Sequence, residues 1–185
     1  MSTVEIAARR LLAVRLVIGA ALLTEGAREA TGRNDGALIN QWQASTGNKS
    51  GDAWCMSWAV DVISTMLAAL WPRLGPKAFP LPYSASCDVV RAACRKLGLQ
   101  RTTPEVGDLF FVMASATDAT HVGIVTARIA GGTDPRFRSI EGNTNTAGSR
   151  DGDGVYQAVR GGAPDGQRYE FYRWADALPA GPLLA

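Results

Sequence analysis

The change of character at Pro104 constrains this chain more than any other feature. After it come five segments with strand-like composition, DLFFVM, HVGIVTA, FRSIE, GVYQAV and RYEFYRW, separated by turn-rich gaps. The gaps are too short to hold helical crossovers, so neighbouring strands are expected to run antiparallel. Before Pro104 the apolar residues recur at helical spacing. Helices first and strands second specify an α+β domain, with N-terminal helices packed on a largely antiparallel sheet of about five strands.

Val4 to Leu23 reads as one helix. Its basic start is loosely signal-like, but Arg15 splits the apolar run, and Leu16 to Leu23 is too short to span a membrane. An ordinary helix of the domain is therefore expected. Residues 25 to 51 read as loop and short helix, with turn signals at Gly32, Asn34-Asp35-Gly36 and Gly47-Asn48. Asp52 is the expected N-cap of a helix running to about Trp71, which puts Cys55 at its third position. Cys55, Ala59, Val62, Ile63, Met66 and Leu70 share a face, and Asp61 is the only charge, so most of its girth should be buried. Four prolines, Pro72, Pro76, Pro80 and Pro82, make the next stretch a connector. Ser84 or Ser86 then caps a helix ending near Gly98. The expected organisation is an N-terminal helix over residues 1–24, a main domain over 25–175 and a tail over 176–185.

A net charge of +2 carries no basic arm or stripe that would argue for nucleic acid. Three cysteines make an odd count with no CxxC, which argues against a disulfide framework or a zinc site. Cys87 and Cys94 lie seven residues apart on the last helix, roughly 10 Å along its axis, too far to bridge. They read as small apolar residues. Cys55, in GDAWCMSWAV, has two readings. One is a core thiol. The other is a nucleophile, because a helix N-terminus favours thiolate and its free N–H groups can serve an oxyanion. A thiol hydrolase also needs an imidazole, and the chain has one histidine, His121, so any such mechanism must use it. SIEGNTN offers Glu141 and Asn143 to orient that ring; both point to one face if the strand continues through Gly142. The acidic loops GRNDG and SRDGDG lack calcium-ligand spacing, and no metal or cofactor is expected.

The ordered set GDAWCMSWAV, PEVGDLFFV, HVGIVTA, SIEGNTN and GDGVYQAVR resembles the CHAP family, the cysteine, histidine-dependent amidohydrolases/peptidases related to NlpC-type cell-wall peptidases and papain. The resemblance implies a papain-like core. It makes Cys55 the nucleophile, His121 the base and acid, Glu141 the orienting group and Asn143 an auxiliary polar group. It also implies cleavage of an amide bond in peptidoglycan, by a monomer delivered through phage lysis, a virion or a secretion system. A papain-like effector acting on protein and a wall-binding module with a vestigial site are the alternatives. Trp42, Trp54, Trp58 and Tyr83 are core residues or walls of a substrate groove. On this reading Glu141→Gln should lower turnover with little effect on stability, and Cys87→Ala should spare activity because Cys87 is not placed near the histidine.

Overall fold

The computed structural model describes residues 2–129, 136–146, 151–162 and 166–180. Ser149 and Arg150 of the acidic SRDGDG loop, and residues 181–185 of the tail, lie outside these. Four helices precede the sheet: α1 (Thr3–Leu23), α2 (Ala37–Ser45), α3 (Cys55–Leu70) and α4 (Cys87–Lys96). The strands are β1 (Gln100–Arg101), β2 (Leu109–Met113), β3 (Ala119–Ile129), β4 (Arg136–Thr144), β5 (Gly154–Arg160) and β6 (Arg168–Tyr172). All pairings are antiparallel, in the order β1-β6-β2-β3-β4-β5. The molecule is thus α+β, with helices and strands segregated along the chain.

The sheet has one strand more than the sequence suggests. β1 is two residues long, too short to display any alternation, and exists because β6 returns to lie between it and β2. The prolines confine residues 72–74 to a single 3-10 turn. α1 opens on a capping box, in which Ser2 accepts from the Glu5 amide while the Glu5 carboxylate accepts from the Ser2 amide. No helix among the described residues is long and apolar enough to cross a membrane.

Two apolar clusters flank the sheet. The larger joins Val14, Val17 and Ala21 of α1, nearly all of the first half of α3, and Leu109, Phe111, Val122, Ile124 and Ile140 of the strands. The smaller holds Phe110, Val125, Phe137 and Phe171 on the alternate strand positions. Its rings meet edge to face, as Phe137 does with Phe110 and Phe171 at centroid distances of 5.0 and 5.2 Å. α3 is therefore buried over most of its girth, as its composition requires.

The start of α3 differs from expectation. Trp54, not Asp52, is the N-cap, and Cys55 is the first helical residue rather than the third. The Asp52 carboxylate is engaged elsewhere, accepting from the Lys49 amide at 2.8 Å and closing a turn ahead of the helix. A side chain committed to that turn cannot reach forward to the α3 amides.

Candidate active site

Three elements converge on Cys55. It opens α3, where the amides of the first turn have no intrahelical acceptor and no side chain caps them. These N–H groups and the helix dipole favour negative charge at the sulfur. β3 brings His121 and β4 brings Glu141. The β3–β4 ladder ends at Ile124 and Ile140, so His121 and Glu141 lie just past its last pair. There His121 Nε2 and Glu141 Oε2 are 2.9 Å apart, with both side chains almost fully buried.

The reach of Glu141 depends on Gly123. A Cβ at that position would lie 2.7 Å from Glu141 Cγ and 2.6 Å from the Phe110 ring. Glycine leaves the room through which the carboxylate approaches the imidazole.

The carboxylate is held from its other side by two residues that sequence reasoning missed. Arg160 of β5 grips it with both arms, Nε donating to Oε1 at 2.9 Å and Nη2 to Oε2. Ser139 Oγ donates to Oε1 at 2.5 Å. Burial alone would raise the Glu141 pKa, but the Arg160 and His121 contacts outweigh it and hold the group down at about 2. An arginine at the far end of the next strand carries no local signal; only the β4–β5 register brings it here.

The second nitrogen of the ring, Nδ1, is buried and has no hydrogen-bond partner. With Nε2 taken by Glu141, Nδ1 is the nitrogen left for the Cys55 thiol, which acts on the ring to help His121 keep its proton. Burial opposes that proton, and Cys55 and Glu141 together overcome the penalty, raising the His121 pKa to about 9. The Cys55 pKa moves the other way, well below an ordinary thiol. The largest cause is the Cys87 thiol beside it; burial opposes the shift, while His121 and the Val122 amide support it. Both shifts favour the charged pair, thiolate and imidazolium, over the neutral one.

Cys87 is where the structure departs furthest from expectation. It is the first residue of α4, capped by Ser86, and its sulfur lies 3.9 Å from that of Cys55. Asp88 fixes this placement by accepting from the Ala119 amide at 2.7 Å, which ties the start of α4 to the start of β3. The two cysteines are 32 residues apart in sequence, and their meeting depends on the route of the proline-rich connector. Cys94, two turns along α4, is a core thiol pushed up to about 12 by burial.

Asn143 does not sit with Glu141. A register irregularity between Glu141 and Thr144, with Asn143 at φ 55°, turns its side chain toward the start of α3. Its amide oxygen accepts from the Trp54 N–H at 3.2 Å, and its NH₂ donates to Asn34 Oδ1 at 3.1 Å and to the Gly152 carbonyl at 2.9 Å. Asn34 and the buried Gln43 complete this frame, Gln43 Nε2 donating to the carbonyls of Asn34 and Asp52 at 3.0 and 2.7 Å. Trp42, Trp54 and Trp58 are buried core residues rather than groove walls. Trp54 stacks on Trp42 and donates to Glu29, while Trp58 donates to Thr24. Tyr83 is half-buried and pairs with Ser64.

No family model matches the chain, and neither characterised proteins nor solved structures include a match to it.

Proposed function

We propose that this chain is a thiol amidohydrolase of the CHAP type that cleaves an amide bond of peptidoglycan. The bond is either the N-acetylmuramoyl-L-alanine link or one in the peptide stem or cross-bridge. The observation that carries the reading is the placement of the only histidine: Nε2 on a buried carboxylate and Nδ1 toward a thiol at a helix N-terminus. A core cysteine has no use for such a partner, whereas a nucleophile needs it. The order Cys, His, Glu on helix, strand and next strand supports a papain-like arrangement, and the ordered motifs support the wall substrate.

In this mechanism the Cys55 thiolate attacks the amide carbon. The first-turn amides of α3 are the donors available to the resulting oxyanion. His121 passes its Nδ1 proton to the leaving amine, and the thioester forms as that bond breaks. Neutral His121 then takes a proton from water, whose oxygen attacks the thioester; the acid leaves and the thiolate–imidazolium pair is restored. Glu141 holds the ring through Nε2 and stabilises its charged form. Cys55 is only 6% exposed, so the amide must arrive on a slender chain. A peptide stem meets that requirement.

Digestion of purified peptidoglycan, with mass spectrometry of the fragments, tests the reading and identifies the bond. Release of muropeptide fragments that is lost in Cys55→Ala is the expected result. Cleavage or deamidation of protein with no action on peptidoglycan would transfer the site to a protein substrate. Binding to walls without turnover, and without reaction toward thiol reagents, would leave a binding module.

A further inference from the structure

The mechanism above needs one thiol at the site, and the fold supplies two. Cys55 and Cys87 each open a helix, and their sulfurs stand 3.9 Å apart, close to van der Waals contact. Both residues are buried but neither is fully enclosed, Cys55 being 6% and Cys87 7% exposed, so a reagent as small as a peroxide is the oxidant that suits the pair. The first is flanked by an imidazole and unpaired helix amides, the surroundings that make a cysteine oxidisable. Forming a bond would require the sulfurs to close by about 2 Å, which lies within reach of side-chain rotation at two helix ends.

We propose that Cys55 and Cys87 are a reversible dithiol pair: a peroxide converts them to a disulfide that blocks the nucleophile, and a thiol reductant releases it. The Cys55 thiolate attacks one peroxide oxygen and the O–O bond breaks. Cys55 becomes a sulfenic acid, and the hydroxide that leaves takes up a proton as water. Cys87 gives up its proton, its sulfur attacks the sulfenic sulfur, and a second hydroxide leaves to become water. Two thiols and one peroxide thus yield one disulfide and two waters, with both sulfurs oxidised and both peroxide oxygens reduced. A dithiol reductant reverses this by two exchanges. Cys87 thereby intercepts the sulfenic acid before it reaches the irreversible sulfinic and sulfonic stages. The effect on activity rests on the hydrolase reading; the dithiol pair does not.

The test is to oxidise the reduced, folded full chain with hydrogen peroxide, unfold it in denaturant, alkylate every remaining thiol, and map the peptides by mass spectrometry. Alkylatable thiols should fall from three to one, with Cys94 remaining free and a Cys55–Cys87 cross-linked peptide two hydrogens lighter than its parts. Dithiothreitol should restore all three, together with the peptidoglycan activity. In Cys87→Ser, Cys55 should proceed to sulfinic and sulfonic acid that dithiothreitol does not reverse. Over-oxidised Cys55 beside a still-alkylatable Cys87 in the wild type would overturn the proposal. So would two intact thiols at a peroxide dose that fully oxidises a small-molecule thiol. A mapped disulfide in a chain inactive on every substrate would uphold the pair and remove the hydrolase reading instead.

Discussion

Replacing Cys55 by alanine removes one sulfur and also the negative charge that helps His121 hold its proton. Turnover should vanish while the fold persists. The His121 pKa should fall from about 9, readable as a single titrating ring in an NMR pH series because the chain has one histidine. An unshifted ring would mean that Glu141 alone holds the proton and that no thiolate forms. Glu141→Gln should lower turnover by orders of magnitude, since it removes the charge facing the imidazolium. Its cost does not stop there. Arg160, 5% exposed, would lose its ion pair with Glu141, and breaking a buried ion pair costs roughly 3–5 kcal/mol. The expectation of unchanged stability is therefore replaced by a clear drop in melting temperature. Cys94→Ala should spare turnover. Cys87→Ala should not be neutral, because it removes the group that lowers the Cys55 pKa most; alkylation of Cys55 at mildly acid pH should slow in that variant.

Between elements, the site depends on how β3 and β4 meet the start of α3. Asn143 fastens the α3 entry through Trp54 and Asn34. Asn143→Ala removes these bonds, each worth about 1 kcal/mol, and should lower stability and turnover together. The pH profile should stay in place, since the Asn143 side chain makes its hydrogen bonds to Trp54, Asn34 and Gly152 and not to His121. Opposite behaviour, with stability kept and the profile displaced, would make Asn143 part of the chemistry. Gly123→Ala tests the neighbouring strand. The added methyl meets both the Phe110 ring and the Glu141 stem, and overpacking of this kind costs typically 1–3 kcal/mol. Because the carboxylate must retreat from the imidazole, turnover should fall more than a purely structural change of equal cost elsewhere, for instance in the Phe137 cluster, would cause.

For the whole molecule, the buried charges set two pH limits. The folded state raises the His121 pKa from 6.5 to about 9, so its contribution to stability is complete below pH 6.5 and fades as pH climbs through about 9. The folded state lowers the Glu141 pKa from 4.5 to about 2, so that contribution is complete above pH 4.5 and is lost as pH falls through about 2. Stability from these two groups is greatest between pH 4.5 and 6.5. Turnover should decline on the alkaline side near pH 9, where the imidazolium loses the proton it must give to the leaving amine. A rate still rising beyond pH 9 would count against the ion pair.

Fold class was legible because periodicity is local: the switch from helical spacing to strand alternation at Pro104 can be read one segment at a time. The same local signals singled out Cys55, His121 and Glu141 as candidates, since a cysteine at a helix start, an unrepeated histidine and a carboxylate near a strand end are features of single segments. What surrounds them was not legible. β1 is too short to have a period, Arg160 reaches Glu141 only through strand register, and Asn143 leaves its expected face because of an irregularity that no neighbouring residue announces. Cys87 read as an inert apolar residue on its own helix. It becomes the neighbour of Cys55 because packing brings two helix starts to one point, and a contact across 32 residues is set by that packing rather than by either segment.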